Sequence, residues 1–337
     1  MQAQLQHALS LAKDGNFADC TALLQATVLE MQQFYGPDDP AAIHAVSILA
    51  GVLHRQNNLP EAETLMRECA AGLDRTLGED HEESLGCHSE LIDILGAAGK
   101  TSEALAMGSK LFDRLCKKLG PNHLQSVKVG VAVCSFMRQE GRLTDSADLA
   151  RVLVESCRSG SPSTPSAPEP LYIALRALTE ILRDTGNIDE AIQCAHELVA
   201  VSAANSLEAD GSPQSHYLLL NLQMSVGIED ALLTARSIAN YCEQQHGALS
   251  HEHVESQLVL ARLLHQGGVF QEAFTVWDSA YVVLSQNLGQ EHPEILDLQV
   301  RVLTCVRTHR LPPHVKALCN HAPGSNGHLL AADRPTH

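Results

Sequence analysis

The feature that most constrains the fold of this chain is an internal repeat with a period close to 42 residues. A turn, an apolar residue, an acidic residue and a small residue recur together, as in Gly99-Lys-Thr-Ser-Glu-Ala104. The small residue falls at positions 20, 62, 104, 146, 191, 231 and 273, with successive spacings of 42, 42, 42, 45, 40 and 42. A repeat of this length indicates stacked copies of one small structural unit.

A second motif recurs in phase with the first. It reads Leu77-Gly-Glu-Asp-His81, Leu119-Gly-Pro-Asn-His123 and Leu288-Gly-Gln-Glu-His-Pro293, with variants at 35–40 and 246–251. Between the two motifs, apolar residues recur every three or four positions, which predicts helices. Glycine at the first turn allows a positive φ, and Asp and Pro in the second motif cap and start the next helix. Each unit is therefore predicted to be an antiparallel pair of helices, A and B, that must stack on its neighbours.

These motifs resemble tetratricopeptide repeats, and specifically the 42-residue repeats of kinesin light chains, which carry the Leu-Gly-x-x-His-Pro turn. The resemblance covers residues 1 to about 320. It implies an all-α fold: a right-handed superhelical solenoid of antiparallel helix pairs, with about seven repeats plus a partial eighth. The chain begins directly in helix A of its first repeat and has no heptad region, so binding to a kinesin heavy chain is not expected.

The same pattern predicts how the chain is divided. Repeats 1–4 occupy residues 1–158, and repeats 5–7 with the partial eighth occupy 171–320. A Ser/Pro-rich loop at 159–170 separates them, and a polar tail at 321–337 is expected to be disordered. Ser161 and Thr164 each precede a proline and could accept phosphate, although a plain solvated loop is the favoured interpretation.

Composition excludes several classes of function. The net charge of −17, from 23 basic and 40 acidic residues, disfavours binding to nucleic acid. No apolar run approaches the roughly 18 residues needed to span a membrane, and the amino terminus does not resemble a signal peptide. We therefore expect a soluble, cytoplasmic protein. The ten cysteines lie within helical patterns without metal-site spacing, which indicates small buried hydrophobic residues.

No catalytic, cofactor or metal site is predicted. The segment Gly96-Ala-Ala-Gly-Lys-Thr101 lacks the first glycine and the preceding strand of a phosphate-binding loop. The densest histidine groups, at 81–88 and 251–253, offer too few ligands for zinc, and His81, His123 and His292 are explained by their turn positions. Cys20 and Cys134 replace the alanine of other repeats, which makes a nucleophilic role improbable. An enzyme is therefore not expected.

Resemblance to tetratricopeptide proteins implies a binding groove lined by helix A of each repeat. Five inward positions per repeat contain eight basic residues: Lys13, Arg55, Lys128, Arg138, Arg176, Arg183, Arg262 and Arg307. They contain five acidic residues, Asp93, Glu180, Asp184, Glu255 and Asp297, and four histidines, His44, His54, His216 and His265. A basic groove in an acidic protein favours capture of an acidic protein segment. The predicted partner-binding residues are Arg55, Lys128, Arg138, Arg176, Arg183, Arg262 and His265, centred on Arg138, Arg176 and Arg183.

The predicted function is that of a non-catalytic scaffold or adaptor, similar to kinesin light chains, whose grooves accept acidic peptides. The alternative is a regulatory or oligomerising module of a larger multidomain protein. The groove cations could instead be scattered solvated residues, some of them paired with Glu180 and Asp184. The family's Asn pair on helix A is replaced, for example by Ser47-Ile48, so side-chain electrostatics must contribute more of the binding.

Overall fold

The computed structural model describes residues 2–159, 168–208 and 212–288, together with 292, 295, 296, 298 and 300. Within these residues the chain forms fourteen α-helices and no strand. It divides into two compact units, unit 1 at Met1–Val201 and unit 2 at Ser202–His337. The predicted all-α fold of helix pairs is confirmed.

Consecutive helices pair as A and B of seven repeats. Unit 1 contains the first nine helices and most of the tenth: α1 (Gln2–Lys13), α2 (Phe17–Tyr35), α3 (Pro40–Arg55), α4 (Leu59–Thr76), α5 (Glu82–Ala97), α6 (Thr101–Leu119), α7 (Leu124–Gln139), α8 (Leu143–Arg158), α9 (Pro168–Thr185) and α10 (Ile188–Asn205). Unit 2 contains α11 (Gln214–Val226), α12 (Ile228–His246), α13 (His251–Gln266) and α14 (Phe270–Leu288).

The turns form as the repeated motifs predict. Between helices A and B the glycine has a positive φ, for example 74° at Gly99 and 79° at Gly141, and Asn57 takes this position in repeat 2 with φ 61°. Before helix A, the Asp39 side chain accepts a hydrogen bond from the backbone N–H of Ala41. His81 and His123 cap α5 and α7 in the same way, because each Nδ1 accepts from the N–H two residues further on. These two histidines therefore have a structural role.

The small residue of the repeat is completely buried within each helix pair. All seven, at positions 20, 62, 104, 146, 191, 231 and 273, have no solvent exposure. Where the residue is polar, it bonds to a carbonyl twelve residues earlier: the Cys20 Sγ lies 3.1 Å from the Ala8 oxygen, and Ser146 Oγ donates to Cys134 over 2.8 Å. The position therefore requires a small side chain and tolerates one with a hydrogen-bond donor.

The structure departs from the regular repeat where the sequence motif weakens. In repeat 6 a single glycine, Gly227, joins the two helices with an extended φ of −170°. Helix α9 begins at Pro168, so the last residues of the expected 159–170 loop are helical. Residues 160–167 of that loop, with Ser161 and Thr164, lie outside the described residues, as do Arg307, most of the partial eighth repeat and the 321–337 tail.

Ion pairs on the helix B side connect successive repeats. The Glu63 carboxylate on α4 accepts from Lys100 over 2.7 Å and from Arg67 over 3.0 Å, and Arg67 also reaches Glu103 on α6 over 2.6 Å. Glu63 is only 9% exposed. Hydrogen bonds from Lys100 are the largest cause that holds the pKa of Glu63 below its ordinary value. Its ionised form is therefore favoured by the fold.

Replacing Glu63 with Gln is expected to reduce stability by about 1 kcal/mol at pH 7, since both cationic partners are partly exposed. A lowered folded-state pKa contributes stability above the unfolded value near 4.5 and loses it as pH falls through the folded value. Urea unfolding should therefore show the gap between wild type and Glu63→Gln closing below about pH 4.5. Glu68→Gln, on the exposed side of the same helix, is the control; a gap that persists at pH 3 would contradict the linkage.

Candidate partner-binding site

The predicted groove residues of unit 1 lie on one layer of helices. The helices A of neighbouring repeats contact one another: α3 contacts α5, α5 contacts α7, and α7 contacts α9. Because these helices A approach one another, their free surface forms the inner face of unit 1. Lys13, Arg55, Lys128 and Arg176 are exposed on helices of this layer, and Arg138 is half-buried.

The three arginines predicted to form the binding centre lie in a cluster with two carboxylates. Arg138 on α7 approaches Asp184 over 3.1 Å and Glu180 over 4.0 Å, both on α9. Arg176 pairs with Glu180 over 3.4 Å, and Arg183 with Asp184 over 3.1 Å. Three positive charges therefore face two negative ones, and most of the cationic charge at this place is already compensated. An incoming carboxylate would have to compete with Glu180 and Asp184.

Lys128 is also paired, with Glu169 at 3.7 Å. Lys13 and Arg55 differ, because the described part of the chain gives neither of them an ion pair with a carboxylate. Both line a pocket of about 420 Å³ on the inner face, between α1, α3 and α5. We call this the three-helix pocket. Among the predicted inner-face cations of unit 1, those without an ion pair thus lie nearer its amino terminus than the predicted binding centre.

The three-helix pocket combines charged walls with an apolar base. Its lining is Leu9, Ala12, Lys13, His44, Ser47, Ile48, Gly51, Val52, His54, Arg55, Met66, Glu90, Asp93 and Ile94. The basic residues belong to α1 and α3, and the two acidic residues belong to α5. A Cβ atom added at Gly51 would have no heavy atom within 4 Å. The pocket is therefore open above Gly51, where a ligand side chain could lie.

The two carboxylates of this pocket are poorly stabilised as anions. Surrounding protein reduces their hydration, although both side chains still reach solvent, and this raises the pKa of Glu90 and of Asp93. Repulsion from Asp93 raises the pKa of Glu90 further, whereas His54 lowers the pKa of Asp93. Neither carboxylate forms an ion pair with a Lys, Arg or His of the described residues. A cationic group placed here would stabilise both.

Unit 2 contains the remaining predicted residues. Arg262 is exposed on α13, and no ion pair within the described residues involves it. His265 is half-buried against aromatic rings, with centroids 5.4 Å from Phe270 and 5.5 Å from Trp277. His216 stacks on Tyr241 with centroids 5.8 Å apart, and burial lowers the pKa of His216. The His265 position is thus largely one of aromatic packing.

The cysteines and the possible metal ligands are the residues most relevant to catalytic chemistry. Seven of the eight described cysteines are buried. Burial raises the pKa of the Cys134 thiol to about 12 and also raises the pKa of Cys20, so these thiols are protonated at neutral pH. The described residues contain no group of three or more His, Cys, Asp or Glu side chains able to hold a metal ion. Nor does any helix among them have the length and apolarity required to cross a bilayer.

Sequence reasoning placed the cations on the inner face but did not determine which of them are neutralised. Between α7 and α9 the repeat spacing is 45 residues, so the position equivalent to Arg138 is Arg183. The carboxylates that pair with Arg138, Glu180 and Asp184, stand at other positions of α9. These pairs could therefore not be predicted from the repeat period. Arg55 has Ala97 at the equivalent position of α5 and so has no acidic counterpart there.

Comparison with known proteins agrees with the geometry. Residues 45–83 match the model of a tetratricopeptide-repeat family. No curated protein matches the chain. A Pyrococcus horikoshii signal transduction ATPase with numerous domains, which has a tetratricopeptide-repeat sensor, superposes with a TM-score of 0.60 at 13% identity, covering 88% of this chain and 44% of that one. The apo quorum sensor NprR of B. thuringiensis gives 0.52 at 11% identity, with coverages of 90% and 86%.

The TPR-like repeats of a Podosopora anserina protein assigned as a kinesin light chain are also similar, at 16% identity with a TM-score of 0.43, covering 74% of this chain and 98% of that one. The helix pairs, the repeat period and the family match together define the fold as that of stacked tetratricopeptide repeats.

Proposed function

We propose that this protein is a non-catalytic interaction scaffold that binds an acidic protein segment on the inner face of unit 1. The observation that carries the proposal is the three-helix pocket, where Lys13 and Arg55 line an open space across from Glu90 and Asp93, and neither cation forms an ion pair with a carboxylate of the described residues. Guanidinium and ammonium groups on a concave surface attract carboxylates, and the field is concentrated by the surrounding low-dielectric walls. The cluster of Arg138, Arg176 and Arg183 is a secondary contact in this proposal, since its charges are mostly compensated.

A peptide array tests this function. It contains 12-residue peptides graded from fully acidic to fully basic, and it is probed with the labelled full-length chain. Acidic peptides should be retained, although the chain as a whole carries a net charge of −17. Reversing both charges with Lys13→Glu/Arg55→Glu should reduce that retention about ten-fold or more, because two attractive contacts become repulsive. Arg138→Glu/Arg183→Glu is the matched control at the compensated cluster and should have the smaller effect.

A third variant separates steric access from charge. Gly51→Leu adds a side chain where the pocket is open, on a helix whose backbone accepts any residue, and replacing glycine in a helix favours folding. It should therefore weaken retention of acidic peptides without loss of stability. Retention that responds to neither Lys13→Glu/Arg55→Glu nor Gly51→Leu, or no retention of acidic peptides, would exclude the proposed site.

A second candidate is a regulatory module acting within a larger protein. The Pyrococcus horikoshii protein supports it, since a tetratricopeptide-repeat sensor forms part of that longer chain. This candidate requires that the repeats contact another domain instead of a separate partner. Identification of further domains in the same polypeptide, with contacts that protect Arg55 from chemical modification, would favour it.

A further inference from the structure

The three-helix pocket has two sides of opposite charge. Lys13 on α1 and His44, His54 and Arg55 on α3 form the basic side, and Glu90 and Asp93 on α5 form the acidic side. Among the described residues, α7, the next inner helix, contributes none to the lining. A purely acidic ligand would be attracted by the first side and repelled by the second. A ligand that carries both charges would be attracted by both sides.

We propose that the partner segment recognised by this pocket has an acidic residue and, two to four positions away, a lysine or arginine. The inference rests on the proposed function and adds the basic residue to it. The ligand's acidic side chain contacts Arg55 and Lys13, and its basic side chain lies between Glu90 and Asp93. Apolar atoms of Leu9 and Ile48, which reach solvent, support the intervening backbone and side chains.

The spacing follows from the geometry of the inner face. Packed helices lie about 8–10 Å apart, so the basic side on α3 and the acidic side on α5 are separated by roughly that distance. An extended peptide advances about 3.3 Å per residue, and about three residues cover the interval. Side-chain length adds tolerance of about one residue in either direction, which gives two to four positions.

Charge complementarity gives the acidic side its selectivity. Glu90 and Asp93 are three residues apart on one helix, so their carboxylates lie on the same face and repel each other. No cationic side chain of the described residues forms an ion pair with either of them. A lysine or arginine of the partner supplies the missing positive charge, whereas a second acidic residue at this place is repelled.

The peptide array also tests this inference when further peptides are added. Each carries one acidic and one basic residue, separated by one to six positions, with either residue first. All-acidic peptides of equal length are included for comparison. Mixed peptides with spacings of two to four should be retained about ten-fold more strongly than the all-acidic ones. Glu90→Gln/Asp93→Asn should abolish that preference without reducing retention of the all-acidic peptides. Glu82→Gln/Glu83→Gln, at the exposed start of the same helix, removes equal charge away from the pocket and should leave the preference intact.

The outcomes separate the two proposals. If all-acidic peptides bind through Lys13 and Arg55 but mixed peptides bind no better, the inference of a mixed-charge segment is wrong and the proposed function stands. If mixed peptides bind best but Glu90→Gln/Asp93→Asn has no effect on the preference, the acidic side is not the contact and the inference also fails. If no peptide depends on either side of the pocket, both proposals are overturned.

Discussion

Leu264→Ala is expected to lower the free energy of unfolding of unit 2 by about 2–5 kcal/mol. Leu264 on α13 has no solvent exposure and belongs to a core cluster with Ile238, Phe274 and Trp277. Removing its three terminal carbon atoms loses their transfer free energy and leaves a cavity that close-packed helices fill only in part. The effect is large relative to the stability of a small helical unit.

Trp277 makes this prediction directly measurable. It is the only tryptophan of the chain, is 5% exposed and lies in the same cluster, so its fluorescence during urea unfolding reports on unit 2. Leu233→Ala is the matched control, because the same substitution is made in unit 2 at a side chain that is 64% exposed. Its effect should stay below about 0.5 kcal/mol. Equal shifts of the urea unfolding midpoint in Leu264→Ala and Leu233→Ala would show that the cluster does not form the core of this unit.

The fold was predictable from the sequence because its local and its repeating signals coincide. Gly99 and Gly141 occur where only a positive φ continues the chain, and Ala104 or Ser146 occurs where the position between two helices is completely buried. These requirements concern one residue and its own turn, so they can be read from the chain in order. The same holds for the second motif, although the capping hydrogen bond of the His81 ring was not anticipated.

The site could be predicted only in part, since it depends on contacts between repeats. Periodicity placed Arg55 and Arg138 on equivalent helices, but which of them is neutralised depends on the side chains of the next inner helix and on their reach. Arg138 meets Glu180 and Asp184 together, and this requires the actual separation of α7 and α9. The three-helix pocket likewise combines side chains from three repeats, Lys13, Arg55 and Asp93 among them. Composition alone does not determine such a combination.

The other large effect is expected at the small residue of the repeat, and Ala104→Leu tests it. Ala104 on α6 has no solvent exposure, as do the small residues of the other six repeats. A leucine here adds three carbon atoms at a completely buried position, so the helices must move apart or the surrounding side chains must adopt strained rotamers. Overpacking of this kind costs about 1–3 kcal/mol, and far-UV circular dichroism during urea unfolding would record it.

Two further variants assign the cause of that loss. Ala106→Leu makes the same change two residues away on the exposed side of α6 and should alter stability by less than about 0.5 kcal/mol. Ala104→Ser should also be nearly neutral, because Ser146 at the equivalent position donates its hydroxyl to a carbonyl twelve residues earlier, which for Ala104 is that of Ile92. If Ala104→Ser lowers stability as much as Ala104→Leu, polarity is the constraint at this position. If only Ala104→Leu lowers stability, the constraint is the volume available between the two helices of the repeat.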